Sequence, residues 1–251
     1  MIGLALLLQI TVPAPRGFVN DFAGVLDSQS VRHLEAVIAE VRQKTRGEIA
    51  VVTLPDIGDR AASDVALQIG RQWGVGDTGA AGDPAKNLGV VLLLVPLQDH
   101  KPGTGQVFIA TGRGAEGFLT DARSGRIRDA MLPALRDEQY GPALVLGVDL
   151  IAQAFATEFG VTRPPPAPIP QPQPRIPVSW LVIAIILLIV LTRGRIFLLP
   201  FWLSGMGRGW GGRGRWGGGG GGGWGGGRGG GGFGGFGGGG GFSGGGAGGR
   251  F

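Results

Sequence analysis

The sequence predicts an α/β protein: a small mixed β-sheet flanked by helices, then one transmembrane helix and a disordered Gly-rich tail. Three observations carry this reading. From about Gly17 to Val161, stretches with helical periodicity alternate with short apolar, β-branched runs. Val178–Leu191, VSWLVIAIILLIVL, holds no charge, no Gly and no Pro. Of the 53 Gly residues, 32 fall in Gly205–Phe251, where no packed core can be built.

Met1–Ile10, MIGLALLLQI, has the length of a signal-peptide apolar region but no basic residues before it. Residues 1–12 therefore read as a truncated signal peptide, with a buried N-terminal strand as the alternative. The foldable domain spans residues 16–160. Asp27 or Ser28 is placed to cap a first helix, along which Val31, Leu34, Val37, Ile38 and Val41 share one face. Gly47 ends it. Glu48–Leu54 is apolar on both faces, as a buried strand should be. Ser63 is expected to cap a second helix that buries Val65, Ala66, Ile69 and Trp73. Leu88–Val95 and Gln106–Thr111 read as strands joined by a turn. Thr120 or Asp121 caps a third helix to about Leu135, and Tyr140–Phe159 is a last helix with Leu144, Val148, Ile151 and Phe155 inside. The first two strands, joined through a helix, should be parallel; the third, joined by a turn, should be antiparallel.

Residues 161–177 carry Pro at eight positions and predict a stiff polyproline stalk. Residues 178–203 combine the apolar run, at the short end of what spans a bilayer, with the patch Ile196–Leu203. All 18 acidic residues precede Gly160, against 14 basic ones; nine Arg follow with no acid among them. Five of those Arg lie at 193–215. The positive-inside rule then predicts a single-pass cell-membrane protein with the domain extracytoplasmic and the C-terminal tail cytoplasmic. A mildly acidic domain argues against nucleic acid binding there. Residues 204–251 read as a disordered tail of unassigned role; its Arg are sparse for RNA stacking, and its aromatics offer self-association as an alternative. The absence of Cys excludes disulfides, thiolate metal sites and Cys nucleophiles.

The segments VNDFAGVLD (Val19–Asp27), EIAVVTL (Glu48–Leu54), QWGVG (Gln72–Gly76), NLGVVLLL (Asn87–Leu94), IATGRGAEGFLTDA (Ile109–Ala122) and LPALRDEQYGPALVLGVDLI (Leu132–Ile151) follow one another in an order that resembles the TPM domain family. The resemblance implies a mixed sheet sandwiched between helices. It also implies divalent-cation binding, mainly calcium, weak acid phosphatase activity, and roles in repair or assembly of membrane complexes. Two departures stand out. Asn87-Leu88-Gly89 replaces the more usual Asn-Gly, and the spacer Asp77–Lys86 is longer than the family's.

Chemistry must come from few groups. His33 and His100 are the two imidazoles, and both read as solvated. Gly112, Gly114 and Gly117 spell a nucleotide fingerprint in letters, but no βαβ unit surrounds them. Asp21, Glu116 and Asp121 form an oxygen-only set suited to calcium or magnesium. Asp121 also suits a helix cap and Asp21 a turn. The expected function is a membrane-tethered, cation-binding interaction module for an unidentified envelope or membrane protein partner. The alternative is a metal-dependent acid phosphatase on the same scaffold, for which no general acid can be named.

Overall fold

The computed structural model describes residues 12–80, 82–83, 85–165 and 233–251. Its elements in chain order are β1 (Val19–Asp21), α1 (Ser28–Thr45), β2 (Glu48–Thr53), α2 (Ala62–Trp73), β3 (Gly89–Val95), β4 (Gln106–Gly112), α3 (Asp121–Arg136), α4 (Tyr140–Glu158) and β5 (Phe242–Arg250). The five strands form one sheet in the order of the chain. β1, β2 and β3 are parallel; β4 and β5 each run antiparallel to the strand before. The mixed sheet, the parallel crossover and the antiparallel third run are as the sequence predicts.

Every residue of β2 and β3 is buried, which is why neither shows an alternating pattern. Two clusters fill the space on either side. On one face Leu34, Ile38, Leu144, Val148, Ile151 and Phe155, from α1 and α4, pack over Ile49, Leu92 and Ile109. On the other, Val65, Ala66, Ile69 and Trp73 of α2 pack over Ala50, Val52, Val91 and Leu93. Asp27 caps α1, accepting the Gln29 and Ser30 N–H groups at 2.9 Å each. The helix closes one residue before Gly47, on Arg46 in the left-handed region.

Some expectations are corrected. Ser63 does not cap α2: the helix starts at Ala62, its N-cap position is Ala61, and no side chain caps it. Residues 19–21 form a strand too short to show periodicity. Val12 is buried beside α2, and the Trp73 indole N–H donates to the Pro13 carbonyl at 3.0 Å; residues 1–11 lie outside the described residues. The stalk beyond residue 165 and the run 178–203 lie outside them too. Among the described residues the helix long and apolar enough to cross a membrane is α4, and 67% of that span is buried inside the domain. Its apolarity belongs to the core.

The largest departure is at the C-terminus. Composition predicts no fixed structure for residues 204–251, yet 242–250 pair along the whole of β4, from Gln106↔Arg250 to Gly112↔Phe242. Phe242 is 2% exposed in the α2-side core, and Phe251 is 4% exposed in the opposite core. Phe233 and Phe236 meet the Phe18 ring edge-on at 5.1 and 5.3 Å, and Phe236 stacks on Trp73. Hydrogen-bonded strands share one compartment. A cytoplasmic position for these residues and an extracytoplasmic one for the domain are therefore incompatible with this sheet.

Candidate metal centre

Two of the three expected carboxylates each make a hydrogen bond to β5. β4 ends at Gly112, and the chain loops to the start of α3. Thr120 provides the cap of α3, its Oγ1 accepting the Arg123 N–H at 3.4 Å. That leaves the Asp121 carboxylate available, and its Oδ1 accepts the Gly246 N–H of β5 at 2.7 Å. Glu116 Oε1 accepts the Ser243 hydroxyl. The two acids thus contact β5 at residues three positions apart, Ser243 and Gly246.

A third oxygen lies in the same place. The Thr111 side chain is fully buried, and its hydroxyl has no hydrogen-bond partner. A Cβ on Gly245 would stand 2.8 Å from Glu116 Oε1 and 3.0 Å from Thr111 Oγ1. The absence of a side chain at Gly245 therefore lets β5 pack close against both the carboxylate and the hydroxyl. An unpaired buried hydroxyl costs about 1–3 kcal/mol, so the Thr111 oxygen is one that a ligand reaching it would satisfy. Sequence reasoning missed Thr111, because a Thr at the end of a strand reads as ordinary strand composition.

Asp21 stands apart. It closes β1 opposite Thr53, which aligns through Leu94 with Val107 near the start of β4. Glu116 follows the other end of β4. The Asp21 carboxylate accepts the N–H groups of Val25 and Leu26 at 3.2 and 3.0 Å and the Thr53 hydroxyl. It fixes the turn between β1 and α1, the structural role open to it from sequence. Among the described residues no group of three or more His, Cys, Asp and Glu is placed to hold a metal ion.

Comparison with known proteins bears on the same segments. The TPM domain family model matches residues 19–154, more than half of the chain. The chain belongs to the TPM domain family. Two solved structures are similar to the TPM domain described here. The N-terminal domain of a protein from P. gingivalis is 33% identical, with 59% of this chain and 88% of that one covered, at a TM-score of 0.49. The N-terminal domain of the cg2496 protein from Corynebacterium glutamicum is 17% identical, with 59% and 85% covered, at 0.40. No curated protein matches the chain.

Within this TPM domain the long spacer is tied down by charge. Arg46 reaches Asp77 and, at 2.9 Å, Asp83. The Asn87 N–H donates to the Asp77 carbonyl at 2.8 Å, closing the loop at its base. The Gly79 N–H, then the Arg46 guanidinium, hold the Asp77 carboxyl below the usual aspartate range; the Ala85 N–H and Arg46 do the same for Asp83. Both groups are depressed in the folded state. Their contribution is thus complete above the unfolded aspartate value and is lost as pH falls below about 4. In an NMR titration the Gly79 and Ala85 amide resonances should shift together, with midpoints below that of a free aspartate. Midpoints at the free-aspartate value would show that the clamp does not form.

The two imidazoles are engaged elsewhere. His33 Nε2 lies 3.1 Å from the buried Asp149, which also receives Arg163 at 2.7 Å. Arg163 in turn contacts Glu40, so the chain leaving α4 is pinned back onto α1. His100 is paired with Glu138 at 2.7 Å on the surface. Both imidazoles are solvent-exposed, as expected, and each also lies beside a carboxylate.

Proposed function

We propose that this TPM-domain protein is a membrane-tethered module acting outside the cytoplasm, binding a divalent cation and engaging membrane or envelope protein complexes in a repair- or assembly-like role. The placement of Glu116 and Asp121 along β5, with the unpartnered Thr111 hydroxyl close to the same strand, supports the cation. Carboxylate and hydroxyl oxygens without nitrogen or sulfur suit a hard ion such as calcium or magnesium. A bound cation would supply fixed positive charge there, drawing the loop 113–120 and the start of α3 together. The apolar run 178–203 and the Pro-rich stalk before it support attachment at a distance from the bilayer, with the chain returning to the domain's side after the run so that β5 can pair with β4. Among the described residues both imidazoles lie beside other acids, away from Glu116 and Asp121, which supports binding as the first reading.

Calcium titration of the full-length chain by calorimetry should give heat with a weak, extracellular-type affinity, on the order of 10⁻⁴–10⁻³ M. Glu116→Gln and Asp121→Asn should each weaken it about tenfold or more. Asp21→Asn should leave it unchanged, because that carboxylate belongs to a turn at the other end of the sheet. No heat, or a loss with Asp21→Asn alone, would reject the assignment.

A further inference from the structure

We propose that the β4 edge is a strand-accepting surface, and that its partner is the C-terminal strand of a second copy of this chain, exchanged for the copy's own. The surface reads an extended main chain. Arg71 donates to the Phe242 carbonyl at 2.8 and 3.1 Å, and Arg128 to the Gly248 carbonyl at 2.6 Å. Asp121 accepts the Gly246 N–H. The Gly103 N–H donates to the Phe251 carbonyl at 2.6 Å, and the Phe251 N–H to the Gly105 carbonyl at 3.1 Å. Main-chain bonds of this kind supply affinity in strand addition, and pockets supply specificity.

Here the pockets specify one sequence. The Phe242 ring lies on Gly70 of α2, where a Cβ would come within 2.7 Å of it. Phe251 seats against Gly105, where a Cβ would meet its ring at 2.5 Å. Between these anchors the strand must lie flat. A Cβ on Gly246, whose φ is +137°, would be 1.9 Å from the Ile109 carbonyl oxygen, and one on Gly248 2.2 Å from the Phe108 ring. The surface therefore takes a Gly-rich strand with a Phe at each end, nine positions apart. That is a description of this chain's own terminus.

Nothing in these contacts depends on which chain donates the strand. The 67 residues from 166 to 232 separate the strand from the domain that holds it. Exchange of an identical element between copies preserves every contact and is a low-cost route to association. Copies gathered on one membrane surface would meet each other's strands at high local concentration.

The chain has no Cys, so a single introduced pair reports cleanly. Gln106 and Arg250 are directly opposed across β4 and β5, and opposed antiparallel residues lie about 4.5–5.5 Å apart, within reach of a disulfide. Full-length Gln106→Cys and Arg250→Cys chains are mixed and oxidised, with circular dichroism confirming that each is folded. The expected result is a disulfide-linked heterodimer several-fold more abundant than the dimer from either variant alone. Adding Gly246→Val to the Arg250→Cys chain should remove it. The Gln106→Cys/Arg250→Cys double variant reports pairing within one chain. Closure there without heterodimer in the mixture would overturn exchange; no bond in either would overturn the strand-accepting surface itself. No cation takes part, so the outcome is separable from the calcium titration.

Discussion

Phe242→Ala is expected to release β5 while the rest of the domain stays folded. The strand is poorly stabilised by its own composition. Five of its nine residues are Gly, and each Gly in an ordered strand costs roughly 0.5–1 kcal/mol relative to Ala. Phe242 is the large side chain within β5 that offsets this, being 2% exposed among Ile69, Trp73 and Val91. Truncating a buried Phe to Ala costs about 3–5 kcal/mol. That is as much as a Gly-rich edge strand can be expected to contribute in total. Hydrogen exchange should show loss of protection at 242–250 and at the β4 amides facing them, with β2 and β3 unchanged. Full protection of β5 in the variant would show that the main-chain bonds, the Arg71 and Arg128 contacts and the Phe251 anchor hold the strand without Phe242.

Phe155→Ala should instead destabilise the whole domain. Phe155 is fully buried on α4, with the Phe118 ring at 5.0 Å edge-on and Phe159 at 6.5 Å stacked. It lies so close to the start of β2 that a Cβ on Gly47 would come within 2.2 Å of the ring. It therefore joins α4, the β2 entrance and the loop that carries Glu116. The expected loss is about 3–5 kcal/mol, against a typical domain stability of 5–15 kcal/mol. A fall in Tm of about 10 °C or more should follow. A fall of only a degree or two would mean that the neighbours collapse into the cavity.

The difference between these two residues mirrors what could be read from the sequence. Phe155 belongs to a periodic face with Leu144, Val148 and Ile151, and the helix that holds it was legible because burial on one side repeats every 3.6 residues. Phe242 belongs to a strand whose neighbours have no side chains, so the period-two signal is erased and the composition reads as disorder. Its signature is instead the pair Phe242 and Phe251 framing the Gly run. β1 was missed for lack of length. Ser63 was misplaced as a cap because a hydroxyl near a helix start is a composition signal, whereas the backbone turns two residues earlier, at Ala61.

The site was legible in part for a similar reason. Glu116 and Asp121 are close in sequence, so the loop and the start of α3 bring both to β5. Asp21 and Thr111 are distant from that loop, so only the strand order decides their place. The sheet brings Thr111 beside Glu116 and carries Asp21 to the far end of the neighbouring strands.

β5 also decides what the sheet presents to other polypeptides. Without it, the outermost strand on that side would be QVFIATG, seven residues of high β-propensity offering unpaired main-chain groups to any exposed strand. The opposite border is the three-residue β1, too short to template growth. With β5 in place the border becomes a strand broken by positive φ at Gly244 and Gly246 and nearly bare of side chains. Such a border cannot build the interlocked side-chain layers on which fibrils depend. The Gly-rich terminus thus guards the fold against aggregation.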